Sequence, residues 1–419
     1  MLTLQMPTPE TRQEEMLELL RAILGGNPRD FAVHLWNGAT LEPADGTPPR
    51  FILHIRQPEG LRALFHPSSD LRVGEAYVRD QLDVEGDMEA AAAAAEALEA
   101  RQWTLAEQLR LRMKLLRLQR GSGVGEEVEA GKGEPIRYPY DLSNDFHGLW
   151  LDPEMIYSCA YFESEDELLE AAQARKLDYV CRKLRLKEGE RLLDISCGWG
   201  ALVRHAVRHY GVRAHGITLN EDQARLARER ARAAGLEDRC TIEVREFGDI
   251  DEEGGYDKLV WVKMFEHIGE TRLPSFFMQV MRLLRPGGLF LHHGLSASAL
   301  VPLESRSAFA EGYVFPESEL VPVSTTLRAA EAVGFEVRDL ESLREHYVLT
   351  LRHWVRRLEA AHDRALEFVD EPTYRVWRLL LAGMAHRLTA GRLSVYQVLL
   401  LKPTGGASGM PLTRADWYR

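Results

Sequence analysis

The stretch Arg191–Gly200, RLLDISCGWG, decides how this chain is read. A short apolar run (Leu192, Leu193, Ile195) carries Asp194 and breaks into a turn, Ser196-Cys197-Gly198-Trp199-Gly200. A helical pattern, ALVRHAVRHY, follows at once. This is the first strand, turn and helix of an open α/β sheet that binds a nucleotide-like ligand. Glycine lets backbone approach a ligand closely, and a helix N-terminus offers free N–H groups. A ligand that carries both a carboxylate and a cation, such as S-adenosylmethionine, fits such a turn. Amides meet the carboxylate, and Asp194 meets the ammonium or orders the turn.

Downstream the pattern repeats. VRAHGITLNEDQARLARERARAAG reads as strand, turn at Thr218-Leu219-Asn220, and helix. TIEVREF is a third strand, and YDKLVWVKMFEHIG a fourth that runs into a turn at Glu266-His267. LPSFFMQVMRLLRPGG is a helix stopped by Pro286-Gly287-Gly288, and LFLHHGLS is a fifth strand. FEVRDLESL and SVYQVLLLKP supply the last two, with helical segments carrying Trp354 and Trp377 between them. Alternation with short links predicts a doubly wound, largely parallel, seven-stranded Rossmann-like sheet.

Upstream, residues 1 to about 120 read as a smaller α+β domain. Helical spacing (Met16, Leu17, Leu19, Leu20, Ile23, Leu24) ends at Gly25-Gly26. FAVHLWNG and PRFILHIRQ read as strands, LRVGEAYVRDQL as a helix, and Asp83-Val84-Glu85-Gly86-Asp87 as a turn before an Ala-rich helix. In residues 104–120, Arg110, Arg112, Lys114, Arg117 and Arg120 interleave with Leu105, Leu109, Met113 and Leu116. That is a basic amphipathic helix, suited to an anionic membrane surface or to packing on its own domain with a solvated basic face. Residues 121–137, opening GSGVGEEVEAGKGE, read as a flexible linker. The expected domain that follows is 138–404, with 405–419 a tail.

Composition narrows the classes. The chain has 419 residues, 45% hydrophobic and 28% charged, enough for two or three domains. Its formal net charge of -12 argues against nucleic acid as a partner. The four cysteines, Cys159, Cys181, Cys197 and Cys240, have neither metal spacing nor CxxC pairing, which fits a reducing cytoplasm. The N-terminus is acidic where a secretory signal is basic, and no apolar run reaches the ~18 residues of a membrane span.

At this point the residues carry a resemblance. YDLSNDF, LWLDPEMIYSCAYF, LLDISCGWG, GITLNEDQ, MFEHIG, RPGGLFLHH and HYVLTLRHW resemble, in order, the blocks of the cyclopropane-fatty-acyl-phospholipid synthases and mycolic acid methyltransferases. The resemblance runs from about Tyr140 to Pro403, more weakly over the N-terminal domain. It implies an S-adenosylmethionine-dependent methyltransferase fold and an enzyme acting on unsaturated phospholipid from the inner membrane surface. For the cofactor it implies Tyr157, Ser158, Asp194, Gly198, Trp199, Gly200, Thr218, Leu219, Asn220, Gln223 and Phe247, with Phe247 near the adenine. It implies that Cys159, Glu266, His293 and Tyr347 hold a bicarbonate ion beside the reacting carbons. No metal is implied. A homodimer follows by analogy alone.

That chemistry suits those residue types. A cis alkene is a poor nucleophile and must be held against the sulfonium methyl. Methyl transfer leaves a carbocation that water would quench, so the pocket must be dry. Bicarbonate, fixed by polar groups, is a base for the proton that leaves as the ring closes. Each residue also has an ordinary structural reading: Cys159 as a packed small side chain, Glu266 as a first-turn carboxylate, His293 and Tyr347 as core groups.

Four positions depart from the family pattern. Ser196 replaces the first Gly of the loop and would be strained at positive φ. His147 stands at a place that is usually Tyr or Phe. Met384 replaces a Cys of some members and argues against a thiol nucleophile there. The strand ending near Gly216 lacks the ribose-binding acid of many nucleotide folds, leaving those contacts to Asn220 and Gln223. Alternatives remain a methylene- or methyl-branching reaction with a reductase partner, methylation of a small soluble substrate, and a non-catalytic binding protein.

Overall fold

The computed structural model describes residues 9–24, 30–44, 46–64, 69–99, 142–262, 268–299, 307–313, 319–406 and 408–418. The basic helix of 104–120, the linker 121–137 and Glu266 lie outside them. The described residues fall into two compact units. Among them no helix is long and apolar enough to cross a membrane.

The first unit takes the described residues before 137 together with 307–313 and Asp370–His386. Its strands are β1 (Phe31–Leu35), β2 (Thr40–Leu41), β3 (Phe51–Ile55) and β4 (Leu82–Gly86), in the order β2-β1-β3-β4. β1 and β3 are parallel, and both edge pairings are antiparallel. The helix Pro9–Leu24 buries Met16, Leu19, Leu20 and Ile23, the stripe its spacing predicts.

The expected turn at Asp83–Asp87 is instead strand β4, paired with β3. Leu82 and Val84 are buried, while Asp83 and Glu85, which alternate with them, find partners on or just past β3. Glu85 lies 3.1 Å from His54 Nε2, and Asp83 pairs with Arg56. Cross-strand ion pairs hid a two-residue alternation that composition alone reads as a turn.

The helix Glu371–Thr389 also departs from its expected place in 138–404, because its residues up to His386 pack with the first unit. Arg375 donates to Tyr77 O at 3.0 Å and pairs with Asp80 at 2.8 Å. Arg378, one turn on, donates to Val84 O at 2.9 Å. Two buried guanidiniums thus satisfy carbonyls of this unit, which a buried unpartnered charge could not do without large cost.

The second unit holds a seven-stranded sheet: β5 (Arg191–Asp194), β6 (Arg213–Thr218), β7 (Cys240–Val244), β8 (Tyr256–Val262), β9 (Leu284–Ala297), β10 (Glu336–Ser342) and β11 (Leu393–Leu401). Their order is β10-β11-β9-β8-β5-β6-β7, and only β11 runs antiparallel to its neighbours. Successive residues of β5 feed opposite layers: Leu192 joins one core cluster and Leu193 the other. β5 pairs with β6 on one side and β8 on the other, so the chain reverses its direction of travel there. Ligands of open α/β sheets bind at such a switch point, outside the carboxyl ends of the strands.

Candidate active site

The turn after β5 is pinned on three sides. Ile195 N–H donates to Val260 O at 2.9 Å, Cys197 N–H to Ile217 O at 2.9 Å, and Gly200 N–H to Cys197 O at 2.8 Å. The left-handed residues are Gly198 (φ +51°) and Gly200 (φ +76°). Ser196 is not among the residues at positive φ, so the strain expected of it is absent. A Cβ on Gly198 would meet nothing within 4 Å, which leaves open space over the turn. Such a cradle at a helix N-terminus fits the carboxylate-bearing end of S-adenosylmethionine.

Asp194 closes the strand. Its Oδ1 accepts from Ser196 N–H at 3.3 Å, so it orders the turn. Burial pushes its carboxyl up to about 7, against the Ser196 N–H and the Lys176 charge. At the end of β6, Thr218 Oγ1 donates to Gln223 Oε1 at 2.9 Å. Asn220 Oδ1 caps the helix Glu221–Ala233 by accepting from Gln223 N–H at 2.9 Å. Leu219, between them, is exposed. Phe247 opens the 3-10 turn after β7, with its ring 5.3 Å from that of Phe276.

The segment Tyr157-Ser158-Cys159 is clamped by the helix Leu169–Lys183. Gln173 Nε2 donates to Ser158 O at 2.9 Å, and Lys176 Nζ to Ser158 Oγ at 2.8 Å. Both side chains are buried, on the inward stripe with Leu169, Ala172 and Val180. Above the segment lies an aromatic wall. Tyr157 sits 5.3 Å, ring to ring, from Trp150 and from Trp354, and Trp354 meets Tyr347 edge-on at 6.0 Å. His147 packs as an aromatic would, 5.3 Å from Trp199, whose Nε1 donates to Asn144 at 2.7 Å.

The remaining candidates stand on separate elements. Cys159 is buried, and its Sγ lies 3.7 Å from Leu343 O, just before the helix Arg344–Ala360 that carries Tyr347. Leu343 N–H donates to Val395 O on β11 at 2.8 Å. Two residues on, Gln397 faces His293 of β9, with Gln397 Nε2 3.3 Å from His293 Nδ1. His293 Nε2 is buried and has no hydrogen-bond partner among the described residues. Burial pushes the imidazole well below its ordinary pKa, so it is neutral. Burial likewise pushes the Cys159 thiol up, so it is no thiolate. A buried, unpartnered imidazole nitrogen fits a small oxyanion such as bicarbonate.

Gln173, Lys176 and Gln397 escape a reading by motif. The signal was a polar residue in an apolar phase: Gln173 and Lys176 on the buried stripe of an amphipathic helix, Gln397 inside the run VYQVLLL.

Comparison with known proteins gives the family. The model of the mycolic acid cyclopropane synthetase family matches residues 129–398. A probable fatty acid methyltransferase of Pseudomonas putida is 38% identical over 389 residues, 92% of this chain and 95% of that protein. The cyclopropane synthase MmaA2 from Mycobacterium tuberculosis superposes with TM-score 0.61 at 30% identity, over 66% of this chain and 100% of that one. The mycolic acid cyclopropane synthase CmaA1, complexed with SAH and CTAB, gives TM-score 0.60 at 32% identity over the same shares. The chain belongs to the mycolic acid cyclopropane synthetase family and is an S-adenosylmethionine-dependent methyltransferase that acts on lipids.

Proposed function

We propose that this enzyme transfers the methyl carbon of S-adenosylmethionine to the cis double bond of an unsaturated phospholipid acyl chain and closes a cyclopropane ring, with bicarbonate as the base. The observation that carries this reading is the buried, unpartnered Nε2 of neutral His293, in a site whose family position implies an anion. When bound, S-adenosylmethionine supplies an electrophilic methyl group and bicarbonate supplies a base.

The chain's own residues do the rest. Trp150, Tyr157, Tyr347 and Trp354 exclude water from a cationic reaction centre. Gln397 donates to His293 Nδ1, so the neutral ring keeps its proton on Nε2 and presents it as a donor. The family resemblance adds Cys159, Glu266 and Tyr347 around that donor. The basic pattern of residues 104–120 supports docking on an anionic bilayer surface.

A second reading, methylene branching of the acyl chain, is favoured by the name of the Pseudomonas putida relative, a probable fatty acid methyltransferase. One experiment separates them. Purified protein is incubated with S-adenosylmethionine, bicarbonate and vesicles of monounsaturated phospholipid, and the product chain is hydrogenated. A product that resists mild hydrogenation is the ring. One that takes up hydrogen is the methylene branch and overturns the first reading.

A further inference from the structure

Lys176 is buried at 2% exposure, yet among the described residues its ammonium makes one hydrogen bond, to Ser158 Oγ, and no ion pair. Two N–H groups are left over in a buried position, an arrangement that costs stability unless something anionic arrives. The two acids that act on it through space are committed elsewhere. Asp194 accepts from Ser196 N–H, and Asp152 accepts from Ile156 N–H at 2.9 Å and Glu154 N–H at 3.0 Å. Burial pulls the lysine down to about 8, and Asp152, Cys159 and Asp194 only partly offset it.

The hydrogen bond to Ser158 has a direction. An ammonium has no lone pair, so Ser158 Oγ accepts and its own proton must point elsewhere. We propose that Lys176 is a positioning residue of the cofactor site: it turns the Ser158 hydroxyl proton outward and sets a positive charge behind it, and the pair receives the carboxylate of S-adenosylmethionine. This rests on the reading that Ser158 lines the cofactor site. Of that cofactor's charged groups the sulfonium and the ammonium are cations, which a buried lysine repels. The carboxylate alone gains from it.

The test uses the full-length protein and two ligands that differ at this group. S-adenosylhomocysteine carries the carboxylate, and 5′-methylthioadenosine lacks the whole amino-acid end. By titration calorimetry, Lys176→Met is expected to weaken S-adenosylhomocysteine about tenfold or more while 5′-methylthioadenosine changes less than about twofold. Lys176→Arg is expected to restore part of the loss. Ser158→Ala, which keeps the lysine, is expected to show the same selective loss and serves if Lys176→Met does not fold. Equal loss for both ligands, or no loss for S-adenosylhomocysteine, overturns the proposal. So does a variant whose only change is a higher bicarbonate requirement, because the anion is then bicarbonate. A parent protein that binds neither ligand overturns the cofactor reading as well.

Discussion

Gln397 and His293 face each other across the β9–β11 pair, 3.3 Å from amide nitrogen to Nδ1, both buried. The glutamine fixes which imidazole nitrogen holds the proton, and the free one is the donor left for a ligand. His293→Ala is therefore expected to lower turnover about a hundredfold while S-adenosylhomocysteine affinity holds. Gln397→Leu should fall between the two. Initial rates and calorimetry on the same samples check this. An equal drop in cofactor affinity would contradict it.

Stability should fall in acid. His205 and His292 are held near 4 and 3 by burial, and His293 is pushed well below its ordinary value by the same cause. Each takes its proton only in the unfolded chain as pH drops below about 6.5, so acid favours unfolding by roughly 1.4 kcal/mol per histidine per pH unit. Asp194 acts oppositely: its raised carboxyl binds a proton in the folded chain below about 7 and adds stability there. The histidines outnumber it, leaving a net loss on the order of 2 kcal/mol between pH 7.5 and 5.5. Urea midpoints at the two values test it, and a higher midpoint at 5.5 would contradict it.

The turn gives a paired prediction. Ser196 needs no left-handed backbone, so Ser196→Gly should leave cofactor affinity unchanged and cost about 0.5 kcal/mol of stability through chain entropy. Gly200 sits at φ +76°, and a Cβ there would lie 3.0 Å from that of Ala227. Gly200→Ala should cost about 1–2 kcal/mol or more and weaken S-adenosylhomocysteine. Thermal shifts with and without the ligand separate the two effects. Tighter binding by Ser196→Gly would show that the serine does strain the turn.

Cys159 is expected to behave as a packed thiol, donating to Ala160 O at 3.2 Å, its pKa raised by burial. Iodoacetamide at pH 8 should leave it unmodified in the folded protein and alkylate it in urea. Peptide mass mapping reads this directly. Rapid native labelling, slowed by S-adenosylhomocysteine, would instead mark a reactive thiolate.

What the sequence reveals follows the length of the signal. β5, its turn and the helix Ala201–Tyr210 were legible because apolar run, Gly pair and helical stripe follow within twenty residues of each other. β11 was legible as a run rich in valine and leucine, LSVYQVLLL, and β10 as the short alternation of Phe335, Val337 and Leu340 with charged residues. β4 was not, because Asp83 and Glu85 carry its solvent face and find their partners far from it in the chain, at Arg56, Arg375 and His54. Nor was the packing of the helix Glu371–Thr389, which depends on carbonyls that Arg375 and Arg378 reach nearly three hundred residues away. Asp194, Gly198 and His293 stood in recognisable blocks. Lys176 and Gln397 act through a partner side chain, and a partnership across the fold leaves no local pattern to read.

The most direct test of the central claim is transfer of label. Purified protein is given methyl-labelled S-adenosylmethionine with vesicles of saturated or of cis-monounsaturated phospholipid, and the lipids are read by mass spectrometry. The account predicts one added CH₂ per modified chain, carrying label, on the unsaturated lipid alone. Label in the head group, label on saturated lipid, or no lipid product from a protein that binds S-adenosylhomocysteine would contradict it.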